Sequence, residues 1–227
     1  MKSGIMIKKI SILIIVVLTF LSVGDCKENI DLSMYVSQNR KNIYKGESEN
    51  YSVTVHSEER ENPYVSDSFV GVLNNIVTIK IEGKNSKIDG EKVKFFIDKK
   101  EYNSSFNYNP INGKYTSEII VDKLPNTASL NLTIYKDNSS EENIEVLSKL
   151  KGDTLSSEKI LQAVSNYDNQ TISQLFRTER VVCEIHIRLL NDDDKNYFYV
   201  GFIEEGGKTT AYLVDGQTGK VLATKKV

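Results

Sequence analysis

The sequence predicts a mostly β protein with a smaller α+β domain at its C-terminal end. Three observations carry that expectation. The stretch Tyr197 to Val227, YFYVGFIEEGGKTTAYLVDGQTGKVLATKKV, holds three apolar runs split by Gly-containing turns at Glu204–Lys208 and Asp215–Lys220, the pattern of an antiparallel meander. Between Tyr51 and Tyr135, short apolar runs recur between turn-forming stretches with no helical window, as in a β-sandwich. Upstream of the meander, Val181, Cys183, Ile185, Ile187 and Leu189 alternate with Glu184, His186 and Arg188, so a strand there puts the two sets on opposite faces.

The chain opens with an export segment. Lys8 and Lys9 precede Ile10–Val23, an apolar run broken only by Ser11, Thr19 and Ser22 and followed by Gly24. Residues 1–24 read as a secretory signal peptide. The run is shorter than the ~20 residues of a spanning helix. A retained N-terminal anchor is the alternative, and including Ile5–Ile7 would bury Lys8 and Lys9 in the span. Cys26 stands where a bacterial lipoprotein carries its acylated cysteine and is the candidate lipid anchor, although Asp25 occupies the position where a lipobox has a small residue. Either route predicts an extracytoplasmic protein, secreted or at the cell surface, meeting the membrane only through leader or lipid.

Composition narrows the class. Of 227 residues, 39% are hydrophobic and 26% charged, which suits a globular chain. Net charge is −2, and loss of Lys2, Lys8 and Lys9 with the leader leaves 26 basic against 31 acidic groups. A mildly acidic chain has no general attraction for phosphate backbones, which argues against nucleic acid as a partner.

Residues 25–49 are polar without sustained period and read as a tether or lead-in strand, with Ile30–Val36 as a short element. Residues 50–136 form the sandwich. Tyr51, Val53 and Val55 alternate with Ser52, Thr54 and His56, and Phe69–Ile81 follows with a break at Asn74-Asn75. Lys92–Asp98, Lys114–Val121 and Ala128–Tyr135 are further strands, between turns at Gly83–Gly90, Asn107–Gly113 and Asp122–Asn126. Residues 137–153 read as a linker in which Ile144–Leu150 allows a helical turn. In the last domain, 154–227, Ser156 or Ser157 caps a helix carrying Ile160, Leu161 and Val164 and ending near Asn166. Ile172, Leu175 and Phe176 add a helical turn, Glu179–Leu190 is a strand, and Asn191–Asn196 turns into the meander.

The run GKYTSEIIVDKLPNTASLNLTIY resembles the later strands of bacterial immunoglobulin-like domains, with Gly113-x-Tyr115 opening one strand and Leu124-Pro125 leading into the next. The paired cysteines and core Trp of that fold are absent. Ser156–Val227, with YFYVGF, TAYLVD and the set Val214, Asp215, Thr218, Gly219, Val221 and Leu222, resembles the PepSY domain. That resemblance implies a helix-plus-meander fold and a role in restraining or modulating peptidases near the cell surface.

The residues offer little chemistry. His56 and His186 both fall on the polar sides of strands and read as solvated side chains, not general bases. Cys26 and Cys183 suggest no disulfide framework, and Cys183 reads as a small buried apolar residue. Two His and two Cys far apart give no zinc spacing, and Asp192-Asp193-Asp194 lacks the alternation of a calcium loop. Asp215 reads as an Asx-turn acceptor, Thr218 as a local donor and Gly219 as a positive-φ position. Tyr197, Tyr199 and Tyr212 form either an exposed stripe or rings buried under the helix. The expectation is therefore no catalytic, metal or cofactor-binding residue, and a non-enzymatic binding module whose partner is a protein. A structural or adhesive envelope component is the alternative. A hydrolase with a site that no motif reveals, using His56 and His186, is the third reading.

Overall fold

A computed structural model describes residues 31–65, 67, 69–84, 88, 90–110, 114–136, 141–175 and 183–227, so the leader and Cys26 lie outside the described residues. Leu32–Tyr35 is a 3-10 turn. The strands are β1 (Val36–Glu47), β2 (Tyr51–Glu61), β3 (Leu73–Gly83), β4 (Lys92–Ile97), β5 (Lys100–Ser105), β6 (Asn107–Asn109), β7 (Lys114–Ile120), β8 (Ser129–Tyr135) and β9 (Glu142–Ser148). Helices α1 (Ser157–Tyr167) and α2 (Asn169–Leu175) follow, then β10 (Cys183–Asp192), β11 (Lys195–Glu204), β12 (Thr209–Asp215) and β13 (Val221–Lys226). The protein is thus mostly β, with two helices among the described residues.

The strands form one connected network. One run is ordered β13-β12-β11-β10-β1-β2-β3-β7-β6, and a second, β5-β4-β8-β9, joins it where β9 meets β1. β1 pairs with β2 from Gln38↔Arg60 to Glu47↔Ser52. Its other edge has two partners in succession. β10 lies parallel to it from Val36↔Ile185 to Arg40↔Arg188, and β9 lies antiparallel at Tyr44↔Ser148 and Lys45↔Leu147. Between these stretches the register shifts at Arg40/Asn42, so Lys41 is an extra residue, and such a bulge bends a strand.

Neighbouring residues of β1 serve different cores. Tyr44 packs with Val53, Val55, Ile79, Phe95, Leu132 and Val146 between the two strand runs. Its neighbour Ile43 belongs to a second core, where Ile160, Leu161 and Val164 of α1 meet Ile185, Phe202 and Tyr212. Burying one such aliphatic side chain contributes about 1.5–3 kcal/mol. α1 forms because Ser156 caps it, accepting from the Lys159 N–H, while Glu158 in the first turn complements the helix dipole. It stops at Asp168, whose N–H bonds the Val164 carbonyl at 3.0 Å.

Several sequence expectations need correction. The segment read as a tether or a lead-in strand is the latter in part: it contributes β1, the strand shared by both cores. Its periodicity is hidden because the bulge at Lys41 breaks the alternation and adjacent Ile43 and Tyr44 serve different cores. The segment read as a linker with a helical turn contributes β9, with Ile144 and Val146 buried and Glu145 and Leu147 exposed. Leu32–Val227 is one compact unit containing both cores. Asn74 and Asn75 lie inside β3 and do not break it, while Phe69 to Val72 precede that strand. Asn107–Asn109, read as turn, pairs with β7, and β5 is an additional strand whose one buried residue is Tyr102.

The junction of β1 and β9 is close. A Cβ at Gly46 would overlap the Glu145 carbonyl oxygen and crowd Val146. Gly46→Ala is therefore expected to destabilise the protein by about 1–3 kcal/mol. In urea titrations the midpoint should fall with an unchanged slope, and an unchanged midpoint would show that β9 does not bear on β1.

Candidate functional site

Ile185 and Ile187 of β10 face the helices, so His186 and Arg188 project from the opposite face. Register places Gln38 and Arg40 of β1 beside them, and Arg60 and Glu58 of β2 beyond. Glu58, buried, is the hub. Its Oε2 accepts from Gln38 Nε2 at 2.8 Å and from Arg40 Nε at 3.3 Å. Its Oε1 lies 3.3 Å from Arg60 Nε, and Arg60 Nη2 reaches Glu118 Oε2 on β7 at 2.6 Å. Arg188 donates from Nε to Gln38 Oε1 at 2.7 Å, and its guanidinium lies 5.4 Å from the centre of the Tyr199 ring.

Arg188 also fixes a tautomer. Its Nη2 lies 3.1 Å from His186 Nδ1. A guanidinium only donates, so Nδ1 accepts and the imidazole proton sits on Nε2. The ring is neutral. It is 5% exposed, and Tyr64 packs edge-on against it with centroids 4.9 Å apart. Burial, then the charges of Arg188 and Arg60, lower its pKa to about 4. For His56, burial and the cations Arg40, Lys80, Lys45 and Arg188 lower it to about 2. His186 is not the solvated side chain expected from the sequence, while His56 is half-buried. Strand alternation gives the face a residue occupies but not what covers that face.

Part of the cover comes from the β2–β3 connection. Asp67 N–H donates to Glu184 Oε1 at 3.1 Å, and Gly71 N–H hydrogen-bonds Glu61. Tyr64 touches that polar base at His186, yet this segment leaves much apolar surface in solvent. Tyr64, Val65, Phe69, Val72 and Leu73 are exposed, Val72 at 82%. The sequence reading placed Phe69 onward in a strand and missed this projection. Asn62-Pro63 and Gly71, turn formers bracketing the apolar residues, are the signal that marks it.

The remaining candidates serve the fold. Asp215 Oδ1 accepts from Gln217 N at 3.1 Å and from Thr218 N and Oγ1 at 2.8 Å each, and Gly219 has φ +72°, so the turn is built as its residue types suggest. The Thr218 hydrogen bonds hold the Asp215 carboxyl below its usual range. Tyr212 is buried and donates to Asp168 Oδ2 at 2.9 Å, whereas Tyr197 and Tyr199 are half-buried on the other face, so the three make no stripe. Cys183 is a free, buried thiol whose pKa burial pushes up to about 12. Asp193, at φ +49°, is at the hairpin tip, and Asp194 pairs with Lys151 at 3.2 Å. Among the described residues, no group of three or more His, Cys, Asp or Glu is placed to hold a metal ion, and no helix is long and apolar enough to cross a membrane.

Compared with family models, curated proteins and solved structures, the chain matches none.

Both imidazoles are neutral in the fold but protonate below about pH 6.5 once the chain unfolds. The unfolded state therefore binds more protons, and acid favours unfolding. Between pH 6.5 and 5, stability is expected to fall by up to ~1.4 kcal/mol per pH unit for each histidine. His186→Gln keeps an acceptor for Arg188 and should remove about half of that slope in urea titrations across this window. A slope that the substitution leaves intact would mean His186 is not held neutral.

Proposed function

We propose that the protein is an exported, non-enzymatic binding module that recognises a protein partner through the exposed apolar segment between β2 and β3. The observation that carries this reading is the pairing of projection and base. Tyr64, Val65, Phe69, Val72 and Leu73 present apolar surface to solvent, while Asp67 and Gly71 bond back to buried carboxylates. Contiguous exposed apolar surface marks sites of association. Anchoring by main-chain hydrogen bonds lowers the ordering cost of binding. The neutral histidines and the buried thiol are poorly suited to proton transfer or nucleophilic attack at neutral pH, which favours contact over chemistry.

Export rests on the leader pattern of residues 1–24, with Cys26 as the acyl acceptor if the chain is lipidated. The capped helix followed by β10 to β13, with the Asp215–Gly219 turn, supports a PepSY-like reading of the C-terminal part, and with it a role in modulating peptidases at the cell surface. The two strand runs around the Tyr44 core support an immunoglobulin-like sandwich as their architecture.

A photo-crosslinking side chain at Val72 of the exported chain is expected to capture a secreted or envelope protein, and Phe69→Ser with Val65→Ser should abolish capture while leaving the melting temperature unchanged. Capture of cell-wall polymer instead of protein would favour the adhesive reading. Capture indifferent to both substitutions would remove the segment from recognition.

A further inference from the structure

β13 ends the long strand run and pairs with β12 alone. Thr209 and Val227 exchange both backbone hydrogen bonds, at 2.9 Å each. Antiparallel alternation fixes the rest of the ladder: Lys225 and Ala223 bond inward to Ala211 and Leu213, whereas Thr224 and Lys226 turn their N–H and C=O groups outward. Among the described residues no strand pairs with that outer edge. The other ends of the network differ, because β6 is three residues long and β5 packs against β7.

The side chains on this edge have one sign. Lys220, Lys225 and Lys226 are exposed, and Val221–Lys226 contains no acid, in a chain whose net charge is −2. Lys208 nearby pairs with Glu204 at 3.2 Å. Asp168 feels Lys226, but its carboxylate already accepts from the Thr171 N–H and the Tyr212 hydroxyl. Leu222, beside the register shift at Leu213/Val214, is 47% exposed.

We infer that this edge is a docking site for an extended acidic peptide segment, which adds to the sheet as a further strand. Main-chain hydrogen bonds to Thr224 and Lys226 supply the pairing, and acidic side chains opposite Lys225 and Lys226 supply the selectivity. Lysines on an edge oppose pairing with neutral or basic strands. Parallel, in-register pairing with a second copy of this chain is disfavoured for the same reason, since it sets Lys225 and Lys226 of one copy opposite those of the other. None of the residues between β2 and β3 takes part, so this site and the one proposed above can fail separately.

The test uses the whole chain, isotopically labelled, with a blocked synthetic peptide of alternating glutamate and valine as probe. Resonance shifts should concentrate on β13, and amide exchange should slow at Thr224 and Lys226 but not at surface amides elsewhere. Lys225→Glu with Lys226→Glu should weaken binding by about tenfold or more. Thr224→Pro removes only an outward N–H, so it should block the peptide while keeping the β12 ladder and the melting temperature. Phe69→Ser should change nothing. The inference is overturned if β13 is unperturbed, if a lysine–valine peptide binds equally well, or if the chain instead pairs with itself along β13.

Discussion

The structure depends on one strand having more neighbours than its edges can serve at once. β1 keeps β2 along one side, but on the other it must meet β10 and then β9. The extra residue at Lys41 reconciles the two. It bends the strand between its two partners, and beyond it Ile43 and Tyr44, on opposite faces because strand side chains alternate, fill separate cores. Both cores therefore draw on the same backbone hydrogen bonds. The close approach at Gly46 follows from the same crowding, because β9 can reach β1 only where no side chain intervenes.

The polar network follows from that arrangement. Bringing β10 alongside β1 places Arg188 next to Arg40 and Arg60, and three guanidiniums cannot share one face without acceptors. Glu58, Gln38 and the neutral His186 provide them. Buried ion pairs of this kind add little net stability, since desolvation offsets attraction, but removing one partner is costly. Their value here is register: a slip of β1 by one residue would turn Gln38 and Arg40 toward the helices and strand Glu58.

Legibility in the sequence tracked how local the physics is. The Asp215–Gly219 turn and the α1 cap could be read because each is satisfied within a few residues, by Thr218 and by Ser156. The alternation of Cys183, Ile185, Ile187 and Leu189 likewise assigned the apolar face of β10, although Glu184 and His186 on the other face are buried too. β1 could be read only as a tether or a lead-in strand, since a bulge and two apolar neighbours, Ile43 and Tyr44, serving different cores both erase period two. The burial of His186 could not be read, since it depends in part on Tyr64, more than a hundred positions away. β9 was missed because Glu142 and Glu145 made a short strand look like a solvated connection.

Native-state hydrogen exchange on the whole chain tests the shared-strand account most directly. The amides of Val55 in the first core and Phe202 in the second should exchange with the same free energy and the same denaturant dependence, both equal to those of global unfolding. If Phe202 exchanges through a smaller opening that leaves Val55 protected, the two cores are separate units and β1 does not couple them.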